Sequence, residues 1–289
     1  MRLTFSILFF LFYACLAVFP QDNPYQSQAN QLFYSGKYEL AFRLYGNAIK
    51  ADQLEDANYE LFLNAGDCAY FLNYKQIALS YYGLSALRNA PIEKLTKHIA
   101  IYCDNDPTCV PATLKKIVQK HPETQSRLYP EIATILFNQS EYVAAIPVLK
   151  EYLNSHPHHL VLQKMLAKSF FNIGHTDSAY VLHKKIVEHN PNDYDSHVFL
   201  GNYYYVTANK LAKTATIPDE KKTKFFLFKK EDGKIDSDTT TECYHKAAEY
   251  LEKAYTIYNS NEIRKSLIDI YTIIGNKDKI TLYKKCENK

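Results

Sequence analysis

Residues 133–157 read ATILFNQSEYVAAIPVLKEYLNSHP, and residues 165–191 read MLAKSFFNIGHTDSAYVLHKKIVEHNP. Laid over one another they match at a spacing of 34 residues: Ala133 on Ala167, Leu136 on Phe170, Ala145 on Ala179 and Pro157 on Pro191. The same spacing extends to Ile132, Leu166 and Leu200, to Gly201 and to Tyr204. Within each segment two runs of apolar residues at helical spacing flank a short polar turn, FNQSEY at 137–142 and FNIGHT at 171–176. Each unit is therefore predicted to be two helices folded back on one another. Small residues at Ala133 and Ala145 allow the paired helices close approach, and the larger apolar residues fill the gap to the next pair. One such pair cannot bury its apolar face alone, whereas a stack of several can, which predicts a solenoid.

The unit resembles the tetratricopeptide repeat. That repeat carries a small residue at its eighth place, a large one at the eleventh, glycine near the fifteenth, tyrosine near the seventeenth, alanine at the twentieth and proline near its end. The resemblance implies an all-α fold, a right-handed superhelical solenoid of antiparallel helix pairs. The best copies are 126–159 and 160–193, and 22–55 carries Ala29, Gly36, Tyr38, Ala41, Tyr45 and Ala48. Residues 58–91 follow with Ala65, Tyr74 and Tyr81, although Ile77 stands where alanine is expected. Residues 92–125 keep the period but degenerate, with Cys103 to Cys109 in place of the usual turn. A sixth unit, 194–260, reaches its alanine only at Ala247, so about 210–238 is read as an insertion at the hairpin tip, with FFLF at 225–228 folding back; 261–287 is read as a capping hairpin.

The totals agree with helices. A chain of 289 residues that is 47% hydrophobic can bury a core, and 8 glycines are few for sheets or nucleotide loops. A formal charge of +3 spread through the chain gives no footprint for nucleic acid. Residues 1–17 resemble a secretory signal peptide, with Cys15-Leu16-Ala17 as a small-x-small cleavage site, and the expected location is periplasmic or cell-envelope associated. Membrane association is expected only through an uncleaved N-terminus or one lipidated at Cys15. Five cysteines remain beyond that segment, an odd number, so disulfides do not build the scaffold; Cys103 and Cys109 can close a short loop, or stay as free thiols.

The run SHPHHL at 155–160 invites a metal reading, but its histidines precede helix-ending prolines. His121-Pro122, His156-Pro157 and His189-Asn190-Pro191 all put imidazole near the exposed carbonyls of a last helical turn. No metal site is expected there, and no cofactor, because GxSxG, GxxxxGK[ST] and GxGxxG are absent from the sequence. In the family it resembles, the first helices line a concave groove through places two, five, nine, twelve and thirteen. Carried over by register, the candidate partner-binding residues are Phe33, Tyr34, Tyr70, Phe137, Asn138, Lys164, Lys168, Phe171, Asn172, Asn202 and Tyr205, with Ala69 and Cys103 at the twelfth place of the second and third copies. Rings and amides of this kind can grip an extended peptide or a partner helix. Gln26 and Asn30 in the first repeat depart from the lysine-asparagine clamp that some of the family use on a C-terminal carboxylate. The sequence thus points to an exported, non-catalytic scaffold or adaptor for another protein. A lipid-anchored outer-membrane assembly factor, or a metal-dependent enzyme using the histidines or the insertion, are its alternatives.

Overall fold

The computed structural model describes residues 24–52, 58–106, 108–215 and 237–285. Residues 1–17, FFLF at 225–228 and most of the insertion lie outside them. The described residues form fourteen α-helices and no strand: α1 Pro24–Tyr34, α2 Tyr38–Ala51, α3 Tyr59–Phe71, α4 Lys75–Leu87, α5 Ile92–Tyr102, α6 Cys109–Lys120, α7 Gln125–Asn138, α8 Tyr142–Ser155, α9 Leu160–Asn172, α10 Thr176–His189, α11 Tyr194–Ala215, α12 Ser237–Ile257, α13 Asn261–Ile274 and α14 Lys277–Lys285. They group into two compact units, residues 1–135 and 136–289, divided within α7.

The described turns inside the hairpins share one chemistry. Gly36 N–H donates to the Phe33 carbonyl and Lys37 N–H to that of Leu32, each at 2.9 Å, which is the Schellman pattern that satisfies the last carbonyls of a helix. The pattern recurs with Asn73 and Tyr74, Asp104 and Asn105, Ser140 and Glu141, Gly174 and His175, and Gly275 and Asn276. The residue that caps each turn has positive φ, from 53° at Asp104 to 82° at Gly174. Glycine takes that conformation without strain, and asparagine or aspartate tolerates it through local hydrogen bonding.

These caps correct the register. Gly36 and Asn73 are 37 residues apart, not 34. In the second hairpin the equivalents of Ala29, Ala41 and Tyr45 are therefore Gly66, Ala78 and Tyr82, not Ala65, Ile77 and Tyr81. Burial agrees: Ala41 and Ala78 are fully enclosed, whereas Ile77 is exposed. The extra residues lie in the connection between α2 and α3, where added length does not disturb packing. Asp104 then comes 31 residues after Asn73, so the equivalents of Phe33 are Tyr70 and Ile101 rather than Ala69 and Cys103.

In the first unit, fully buried Tyr45 donates to Asn30 Oδ1 at 2.6 Å, and fully buried Tyr82 repeats the bond one hairpin later to Asp67 Oδ1 at 2.8 Å. Each tyrosine thus fills the hairpin with its ring while its hydroxyl is satisfied inside. Gly66 makes room for this, because a Cβ there would stand 2.5 Å from the Tyr82 ring. Asp67 also meets His98 Nδ1 of α5 at 2.7 Å, so one buried carboxylate joins three helices. Cys103 and Cys109 are disulfide-bonded, with Cα atoms 5.7 Å apart, between α5 and α6.

In the second unit, α11 and α12 are the longest helices, and they approach closely at Gly201, where an added methyl would strike Leu251. Residues 210–215, expected to belong to the insertion, instead continue α11, because Leu211 is buried and Tyr244 on α12 donates to Asn209 at 2.7 Å. The hairpin α13–α14 is fastened by Glu252 of α12. Its Oε1 accepts from Lys279 at 2.6 Å and from the hydroxyls of Tyr271 and Tyr283, both at 2.8 Å. Burial opposes ionisation of Glu252, but those three donors outweigh it and hold the carboxyl below its ordinary range.

Candidate partner-binding face

In the second unit, the first helices keep several of the expected residues accessible. Phe171, at the end of α9, is 51% exposed and meets Phe199 of α11 edge-on at 5.6 Å. Asn138, Asn172 and Asn202 are exposed, with no core role to occupy their amides. Lys168 is exposed and its ammonium lies 5.6 Å from the Phe137 ring centroid, a cation–π contact between α7 and α9. Phe137 itself is half-buried against Tyr142 at 5.4 Å. Together these residues give rings, amides and one cation along neighbouring helices.

Several expected groove residues are used internally. Lys164 reaches Asp193 at 3.1 Å and also pairs with Asp195, tying α9 to the start of α11. Burial alone would lower its pKa, but the two carboxylates raise it instead, so this cation is already neutralised. Tyr205 is half-buried, packing on the core and meeting Tyr244 at 6.1 Å. In the first unit Phe33 packs among Tyr38 at 5.6 Å, Phe71 at 6.2 Å and the core around Tyr45. Tyr70 is half-buried, with its hydroxyl bonded to Asp104. Tyr34 is the exception there, projecting into solvent. Conversely, Val161 is 64% exposed at the second place of its repeat, and Val206 is exposed at the thirteenth. A search for aromatic and amide groups passes over both valines, although the register alone would find them.

The remaining polar clusters make contacts within the fold. His156 caps α8 and stacks on Tyr152 at 4.2 Å, while His159 Nδ1 accepts from the Leu162 N–H at the start of α9. His158 lies 5.2 Å from His189 between ring centroids, and His189 Nδ1 donates to the Lys185 carbonyl at 2.9 Å. Among the described residues no three His, Cys, Asp or Glu side chains converge as a metal site. His183 Nδ1 lies 2.8 Å from Ser196 Oγ, and both groups are buried between α10 and α11. Among the described residues no helix is long and apolar enough to cross a membrane.

A run of capped antiparallel hairpins, with small residues at the crossings and exposed side chains on the first helices, defines an all-α helical-repeat fold, as the resemblance to the tetratricopeptide repeat implies. The chain is similar to several solved structures. One is described as a candidate protein-binding protein from Bacteroides ovatus, with 24% identity and a TM-score of 0.47 over 79% of this chain and 98% of its own. Another is the C-terminal part of a tetratricopeptide repeat-containing protein from Cytophaga hutchinsonii, with 16% identity and a TM-score of 0.46 over 90% and 92%. A third is a tetratricopeptide repeats protein from Bacteroides fragilis, with 17% identity and a TM-score of 0.42 over 87% and 98%. No protein-family model and no curated protein sequence matches the chain.

Proposed function

We propose that this protein is an exported, non-catalytic adaptor or scaffold that holds an extended segment of a partner protein on the first-helix face of its second unit. The observation that carries this reading is the exposed row of Asn138, Lys168, Phe171, Asn172 and Asn202, flanked by Val161 and Val206. Phe171 and the valines offer apolar contact, and the amides can bond the backbone of an extended segment, so affinity comes from main-chain recognition and contact with one exposed ring. The partner is protein rather than nucleic acid, because the one cation on the row, Lys168, is already placed over a ring. Export is supported by the apolar N-terminal stretch ending at Ala17 and by the Cys103–Cys109 bond, which persists in oxidising compartments.

Photo-crosslinking tests the face. A crosslinking residue at position 172 is expected to trap the partner, one at exposed Val181 on α10 is not, and Phe171→Ala is expected to abolish the first product while helicity is unchanged. Equal trapping at both positions would refute the assignment. Mass spectrometry of the mature N-terminus separates cleavage after Ala17 from lipid on Cys15 and from a retained anchor.

A further inference from the structure

The turn edge of the first unit leaves large apolar groups in solvent. Tyr34 is 86% exposed and Tyr74 51%, and Leu40, Phe71 and Ile77 are exposed beside them. The second unit provides an internal control. By the turn hydrogen bonds, Tyr34 and Phe71 are equivalent to Asn138 and Asn172, and Leu40 and Ile77 to Ala144 and Ser178. The same turns therefore form with amides and small residues, and the large groups on the first two hairpins have another use. They also stand on a firm base: Phe71 stacks on Tyr38 at 4.5 Å and meets Tyr70 at 5.4 Å. An exposed apolar patch of this kind marks a contact surface.

Charge says what covers it. The three turns lie in the order of their hairpins. The first two present exposed Lys37 and Lys75, and Glu39, the acidic residue between them, is paired with Arg43 at 2.8 Å. The third presents exposed Asp104 and Asp106, held beside the second by the Tyr70–Asp104 bond. The edge thus carries Tyr34 and Lys37 on its first turn, Phe71, Tyr74 and Lys75 on its second and the two carboxylates on its third. An anionic lipid surface would meet the acidic turn as well as the basic ones. A second copy related by a two-fold axis fits better, because rotation brings each Lys37 onto the other copy's Asp104 and Asp106 and the rings together at the axis, while the two Lys75 side chains beside the axis can turn their ammonium groups into solvent.

We propose that two copies of this chain associate through the turn edge of the first unit, with Phe71 and Tyr74 near the two-fold axis and Lys37 facing Asp104 and Asp106 of the other copy. This surface shares no residue with the first-helix face of the second unit. Three hairpin turns side by side present an edge roughly 30 Å long, which is small for a stable interface and fits a dimer of about micromolar strength.

Sedimentation velocity of the full chain, with its N-terminus as processed in the expression host, tests this from about 1 to 300 μM, a range chosen for interfaces of this size. The expected result is a concentration-dependent dimer that weakens at high salt and is lost in the surface variant F71S/Y74S with its circular dichroism unchanged. Disulfide trapping fixes the axis: Tyr74→Cys is expected to pair with its own copy, and Tyr34→Cys is not. A monomer at every concentration, a dimer untouched by F71S/Y74S, or preferential pairing of Tyr34→Cys with itself would each overturn the proposal. So would flotation of a monomeric chain with phosphatidylglycerol vesicles that is lost in F71S/Y74S, which would assign the edge to lipid.

Discussion

Acid is expected to loosen the second unit through one histidine. His183 is buried on α10, stacked on Phe199 at 4.1 Å and 2.8 Å from Ser196 Oγ. Burial pushes its pKa down from 6.5 to about 4, with Lys164 adding to the effect and Asp193 and Asp195 opposing it. Between those values the unfolded chain binds a proton that the folded chain refuses. The contribution of this group to stability is therefore whole above pH 6.5, declines as pH falls through the window and is flat below pH 4. A drop of that size corresponds to about 3 kcal/mol in full, of which about 2 kcal/mol is gone by pH 5. The perturbation that isolates it is His183→Asn, which keeps a polar group near Ser196 but has no proton to gain. Urea unfolding followed by near-ultraviolet circular dichroism of the tyrosines is expected to give the parent a steeper loss of stability than the variant between pH 7 and pH 4. Matching slopes, or an imidazole resonance of His183 that titrates near 6.5, would refute the argument.

Three further outcomes follow from the packing. Gly66→Ala is expected to cost about 2 kcal/mol in urea unfolding, because the added methyl must displace a buried Tyr82 ring that is anchored to Asp67. Glu252→Ala leaves the Tyr271 and Tyr283 hydroxyls and Lys279 without their shared acceptor; because the site is partly open to solvent, a loss of about 2 kcal/mol is expected, read as faster hydrogen exchange in α14 than in α11. Reducing the Cys103–Cys109 bond, or replacing Cys103 by Ser, is expected to lower stability by about 2 kcal/mol through the entropy of a short loop. The parent in dithiothreitol and the Cys103→Ser variant should then melt together.

Much of this architecture is legible in the residue order. The match between Ala133 and Ala167, or Ala145 and Ala179, gives paired helices because only small side chains let two helices cross closely. The histidines before Pro157 and Pro191 read as helix ends, and His156 and His189 do sit at such ends. The fixed spacing failed where the connection between α2 and α3 lengthened. A pattern search assigns each side chain a place by counting, whereas burial in the second hairpin follows Ala78 and Tyr82 wherever the connection delivers them.

The sequence by itself determined the helical hairpin, its repetition and the chemistry of its turns, since these depend on neighbours a few residues away or on one repeated pattern. Only the tertiary structure decided which side chains remain available to a partner. Phe171 and Tyr205 occupy the same place in successive repeats, yet the first stays open to solvent while the second packs against α12. Lys164 and Lys168 lie one turn apart, yet Asp193 and Asp195 neutralise only the former. Exposure and free charge are set by what the next hairpin places alongside, and that contact is absent from the local pattern of any single repeat.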